Sequence, residues 1–224
     1  MKPEEIAKKY RIDLKKLEQE QKKLAKTIKT EDKIDFKLAD KIGAIDNSFF
    51  ENKIISAILV VNPEMEIIEQ EYYSDKLKFP YISGFRAYRE LPTMIEAFNK
   101  LEERPDVIFV AGHGIAHPRL GLASHFSIST GVPTIGVANS LIKGEVKGQD
   151  IILEGKKVGK TLISKPGSKP MYISPGNSIS IKTAYEISQK LIQLPHKLPE
   201  PLHMAHKYSK DIRKEVYGSF KKNE

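Results

Sequence analysis

Hydrophobic and polar positions change period several times along the 224-residue chain, and each change marks a predicted element. Over residues 3 to about 30, Ile6, Tyr10, Leu14, Leu17, Leu24 and Ile28 recur among charged residues at helical spacing, which predicts an amphipathic helix. Such a helix either packs on its own domain with a solvated charged face or offers that face to a partner or to DNA. From residue 41 the apolar residues gather instead into short runs, over 41–47, 54–61 and 65–73, separated by turns containing Asn and Pro. Connections this short predict an antiparallel meander. Helical spacing returns over 84–104, with Pro92 early enough to be tolerated near the first turns. Residues 107–110 are unbroken in their apolarity, as in a strand buried on both faces. A helix over about 119–130 and a strand over 133–138 then complete a βαβ unit, whose strands must run parallel. The Lys- and Gly-rich segment 144–170 reads as a hairpin insertion with arms at 151–154 and 158–164. A strand over 171–174 and helices over 178–194 and about 200–219 follow, and the tail carrying Lys221 and Lys222 is expected to fray.

Three antiparallel strands followed by parallel βα units, flanked by helices, is the order of an RNase H-like α/β fold with a mixed sheet. The length suits one domain with a single core. The absence of cysteine excludes a disulfide framework and thiolate metal sites and agrees with a cytoplasmic protein. No apolar run approaches about 18 residues, so neither a membrane span nor a membrane partner is expected. The net charge of +8 favours polyanionic partners, because each phosphate neutralised releases counterions. No helix-turn-helix or zinc-finger pattern is present, which sets aside a reader of base sequence.

Candidate chemistry gathers where strands end. Ligands of α/β sheets bind at the carboxyl ends of strands, and 111–119, Ala-Gly-His-Gly-Ile-Ala-His-Pro-Arg, follows such an end. Gly112 and Gly114 let the backbone approach a ligand closely. His113 and His117 are four residues apart, but Pro118 biases His117 away from helical geometry, so a zinc site on one face is rejected. Asp46 ends another apolar run; it is either a turn-initiating Asp before Asn47 or a metal ligand. Glu90 is either a solvated helical glutamate paired with Arg86 four residues before it or a second acidic ligand.

Several ordered blocks resemble the endonuclease V family. They are Gly43-Ala44-Ile45-Asp46; Phe79-Pro80-Tyr81-Ile82-Ser83-Gly84 with Arg89-Glu90; the 111–119 loop with Leu120-Gly121-Leu122-Ala123-Ser124-His125; Pro133 through Ala138; Ser174-Pro175-Gly176; and Leu198-Pro199-Glu200-Pro201 through Ala205-His206. The resemblance implies a metal-dependent endonuclease that hydrolyses a phosphodiester on the 3′ side of inosine in DNA and/or RNA, acting as a monomer. It implies Mg²⁺, with Mn²⁺ as the alternative, held by Asp46 and Glu90 and supported by His206. It makes Pro80, Tyr81, Ile82 and Ser83 a wedge that opens the strand, with Tyr81 and Ile82 replacing lost stacking. Gly84, Gly112, Gly114, Ile115 and His117 would line a pocket for the flipped base. Arg119, Lys143, Lys147 and Lys160 would contact phosphate.

Two positions depart from the pattern. Ala111 stands where the family has a further acidic ligand, and Asn139, counted with the substrate-binding residues, stands where it has Lys and offers only a neutral amide. A methyl cannot hold a metal, which leaves a naturally silent descendant, an inactivated variant, or an enzyme using another ligand such as His113. The last account would favour Mn²⁺, because Mg²⁺ prefers oxygen to imidazole. The rival to an impaired nuclease is therefore a protein that binds inosine-containing nucleic acid without cutting it.

Overall fold

The computed structural model describes residues 2–218, so the tail with Lys221 and Lys222 lies outside the described residues. Strands β1 (Ile42–Phe50), β2 (Lys53–Val61) and β3 (Ile67–Lys76) pair antiparallel as a meander. Helix α3 (Arg86–Asn99) leads to β4 (Val107–Ala111), which pairs parallel with β1. Helix α4 (Leu122–Thr130) returns the chain to β5 (Thr134–Ala138), parallel to β4. The predicted βαβ unit is therefore present, and the sheet is mixed.

The segment expected as a hairpin insertion does more than that. Its strands β6 (Glu145–Lys147), β7 (Asp150–Leu153) and β8 (Lys156–Leu162) join β9 (Met171–Asn177), and β9 pairs antiparallel with β5. The result among the described residues is one nine-stranded sheet in the order β3-β2-β1-β4-β5-β9-β8-β7-β6. Helices α5 (Ile181–Lys190) and α6 (Glu200–Gly218) close the chain.

Alternation along β4 decides which helices cover which face. Val107 and Phe109 pack with Leu202 and Ala205 of α6 and Ala184 of α5. Ile108 and Val110 point the other way, to Ala87, Met94 and Phe98 of α3 and Phe126 of α4. Burying a ring such as Phe109 or Phe126 completely is worth roughly 2–3 kcal/mol.

Three predicted helices are shorter than expected. The N-terminal one is two, α1 (Pro3–Tyr10) and α2 (Leu14–Ala25), because Arg11 is left-handed at φ 55° and Asp13 caps α2 through the Lys16 N–H. Helix α3 stops before 100–104 because the Glu102 and Glu103 N–H groups donate to the Glu69 carboxylate instead of to a preceding turn. Helix α5 begins only after Ser180, whose hydroxyl accepts from the Thr183 N–H.

Candidate active-site cavity

The register of β1 against β4 pairs Ile45 with Val110, so the next residues, Asp46 and Ala111, reach the same level at the sheet's open end. By the alternation of the strands both face α6. His206 of α6 meets Asp46 there, its Nδ1 lying 2.6 Å from Asp46 Oδ2, while Asp46 Oδ1 accepts from the Asn47 N–H. With Nδ1 turned to the Asp46 carboxylate, Nε2 of the ring faces away from it. Asn47 points to the opposite face, where its Nδ2 donates to Glu90 Oε2 at 2.8 Å.

Glu90 is almost fully buried, and Arg86 grips it through both Nε and Nη2. Burial works against the Arg86 charge, but adjacent Glu90 more than offsets it and raises the guanidinium pKa. Arg86 therefore remains a cation within the site. The simple reading of Glu90, a partner for Arg86 one turn away, is what the side chains form.

These groups open into a cavity of about 630 Å³. Its walls include Asp46, Tyr81, Arg86, Ala111, Asn139, Lys197 and His206. Of the residues anticipated for substrate, Tyr81, Ser83, Gly84, Gly112 and Asn139 line it. Tyr81 is 64 % exposed at its mouth. The turn carrying Tyr81 is fixed from behind: Phe85 N–H donates to Ile82 O, Gly84 takes φ +80°, and Arg89 donates to Phe79 O at 2.7 Å. A left-handed φ at this turn suits glycine.

Other anticipated residues lie elsewhere. Ile82 is 1 % exposed and packs with Ala7 and Phe85, so it anchors the turn and has no free side chain to place between bases. Pro80 is half-buried outside the cavity lining. Gly114 docks against β9, where a side chain would collide with the Pro175 carbonyl, and Ile115 packs beside Ala116 and Ile151. His117 is buried, accepts from the Arg119 N–H through Nδ1, and has its pKa pushed down to about 3, by burial first and then by neighbouring cations and imidazoles. His113, also lowered chiefly by burial, does reach the cavity and lies 2.6 Å from Ser140 O.

Arg119 is not free for phosphate: Nε donates to Gln21 Oε1, Nη2 to Gly84 O, and the guanidinium stacks on Phe85 and pairs with Glu18. Lys143 and Lys147 pair with Glu154 and Glu145, and Lys160 lies over the Tyr185 ring. Lys197 is a cavity cation that the sequence reading did not name, and Arg86 entered that reading only as the partner of Glu90. Lys197 meets Asn139 across 58 positions, a contact no local pattern announces.

The donor set does not fit a resident divalent ion in the free protein. Among the described residues no three His, Cys, Asp or Glu side chains lie close enough together to hold one. Ala111 contributes a methyl, and both Glu90 oxygens already accept hydrogen bonds.

Strand order, mixed pairing and a carboxylate–histidine site at the open end of the central strands define an RNase H-like protein. The family model described as Endonuclease V matches residues 22–207. The chain belongs to the endonuclease V family. It is 38 % identical over 209 residues to Endonuclease V of Dictyoglomus turgidum, covering 88 % of this chain and 90 % of that one. Among solved structures it resembles Endonuclease V of Bacillus subtilis at a TM-score of 0.85 and 29 % identity, covering 92 % of this chain and 94 % of the other. It also resembles Ciona intestinalis Endonuclease V in complex with a 24mer DNA containing an inosine followed by a ribo-adenosine, at a TM-score of 0.82 and 25 % identity over 91 % of this chain and 98 % of that one. No helix among the described residues is long and apolar enough to cross a membrane.

Proposed function

We propose that the protein acts on inosine-containing nucleic acid as an endonuclease directed to the phosphodiester on the 3′ side of the inosine, and that Ala111 impairs its cleavage step. The observation that carries the reading is the Asp46–His206 pair at 2.6 Å on the floor of a cavity whose mouth carries exposed Tyr81. The complex of the Ciona relative with inosine-containing DNA supports the substrate class. Tyr81 presents an aromatic face against which an unstacked base can rest, worth about 1–3 kcal/mol. Gly84 and Gly112 bring main chain to the cavity wall, where it can hydrogen-bond a purine edge. Asp46 holds His206 with Nε2 outward, where it accepts a proton from water or a substrate hydroxyl.

The family is metal-dependent, and Asp46 and Glu90 would be the groups to hold a metal, which would supply hydroxide near neutral pH and charge stabilisation for the leaving oxygen. This chain offers Asp46 with both oxygens already hydrogen-bonded and Glu90 only in the grip of Arg86, so little of that chemistry is available. The same reading takes the chain as a single domain working as a monomer in the cytoplasm. A second reading, inosine binding without cleavage, is favoured by the same two observations, the Ala111 methyl and the occupied Glu90.

Cleavage of end-labelled DNA and RNA oligonucleotides carrying one inosine, with Mg²⁺, Mn²⁺ or EDTA, separates the two. The expected result is weak cutting that Asp46→Ala abolishes and Ala111→Asp raises about 10–100-fold or more, since losing even an outer partner of a metal ligand costs that much. If neither the protein nor Ala111→Asp cuts while both bind inosine, the binding reading replaces the first.

A further inference from the structure

Three lysines of the basic hairpin are paired with acidic side chains. Lys143 and Lys147 face Glu154 and Glu145, and Lys157 faces Asp150. Inside the cavity the Arg86 charge is spent on Glu90, and Asp46 is hydrogen-bonded to His206. Lys197 differs. It lines the cavity, and its ammonium donates at 3.2 Å to a neutral acceptor, the Asn139 side-chain oxygen. An amide positions a cation without neutralising it, so the Lys197 charge remains available to an anion.

The segment that presents Lys197 is held at both ends. Ile192 and Pro199 form an isolated β-bridge, the His196 N–H donates to Gln193 O, and the Glu200 N–H donates to Leu191 O. His196 is fixed as well: Nδ1 lies 2.7 Å from Glu200 Oε2, and its ring stacks on His203 of α6 at 3.6 Å and 15°. Both His203 and His206 border the same cavity, so the turn bearing Lys197 is docked on the helix that supplies the Asp46 partner. Little chain entropy is then lost when Lys197 engages a ligand.

We infer that Lys197, steered by Asn139, is the phosphate-contacting cation of this cavity: it enters from the turn before α6 and binds one backbone phosphate of the nucleic acid whose base occupies the cavity. The inference rests on the proposed nucleic-acid reading of the same site. A phosphate oxygen replaces or joins the amide oxygen as acceptor, and the Asn139 NH₂ group, which has no partner among the described residues, donates beside it. The contact fixes register along the strand and is blind to the base.

The test is fluorescence-anisotropy binding of a single-inosine oligonucleotide and its adenosine counterpart in EDTA, across a series of NaCl concentrations. For single strands each phosphate neutralised adds about 0.7 to the slope of log affinity against log salt. Lys197→Gln is expected to reduce the slope by about 0.7 and to weaken both oligonucleotides by the same factor, leaving their ratio unchanged. Lys197→Arg should keep the slope. The exchange Asn139→Lys with Lys197→Asn should recover it, because the charge returns to the same point from the opposite wall. An unchanged slope in Lys197→Gln overturns the inference, as does failure of both the Arg variant and the exchange to keep it. Equal affinity of the unaltered protein for inosine and adenosine overturns the functional reading instead, while the slope comparison still decides Lys197.

Discussion

His117, anticipated beside a flipped base, is buried and lies outside the cavity lining. Its neighbours are the loop around it, and burial lowers its pKa from 6.5 to about 3. Between those values the unfolded chain binds a proton that the folded chain refuses, so stability is present at neutral pH and lost as pH falls from about 6.5 toward 3. At pH 5 the loss from this one ring is about 2 kcal/mol. His113 and His125 are lowered too, chiefly by burial, and act in the same direction. Urea midpoints at pH 7 and pH 5 should therefore converge in His117→Gln relative to the unaltered protein, and an equal drop in both would mean that the ring titrates freely. Residue by residue, the site was legible where a signal is local. Asp46 stood out because it follows Ile42, Ala44 and Ile45 in one strand, and the Arg86–Glu90 pair because four residues is one helical turn. The partners of Arg119, Gln21 and Glu18, were not legible because they lie about a hundred residues away, where spacing carries no information.

Helix α2 belongs to the site although none of its residues enters the cavity. Gln21 is 1 % exposed, and its Nε2 donates to Gly84 O and Leu120 O while Oε1 accepts from Arg119. One amide thus ties the turn behind Tyr81 to the loop leading into α4. Gln21→Ala leaves a guanidinium and two carbonyls without that partner, at a cost of about 2–4 kcal/mol. Urea denaturation should report that loss, together with a weaker inosine preference as the Tyr81 turn loosens; a variant as stable as its parent would show that α2 is a passenger. The amphipathic pattern of α1 and α2 foretold a packed helix but not its break, since a left-handed Arg11 leaves no mark in the spacing of apolar residues. Likewise the Lys- and Gly-rich segment 144–170 read as a hairpin, whereas the place of its β8 arm beside β9 depended on which edge the central sheet left open.

At the scale of the whole molecule, fold and binding draw on different forces. The core is apolar on both faces of the sheet, and most ion pairs are exposed, such as Lys182–Glu186 and Lys214–Asp211, each worth about 0–1 kcal/mol. Raising NaCl from about 50 to 500 mM should leave the thermal midpoint nearly unchanged while weakening nucleic-acid binding more than about tenfold if two or more phosphates are engaged. A parallel fall in both would show that the basic surface also holds the fold together. The docking of the glycine loop sets a second division. At Gly114 and Gly136 the backbones of the loop, β5 and β9 approach so closely that any side chain would strike another main chain, whereas Ala111, a few residues away, borders the cavity. Heredity therefore has unequal freedom along this short stretch: the glycines are held by the requirement to exist as a folded molecule, and position 111 is answerable only to use. A lineage could lose its chemistry there, keep its shape, and regain the chemistry later without rebuilding anything else.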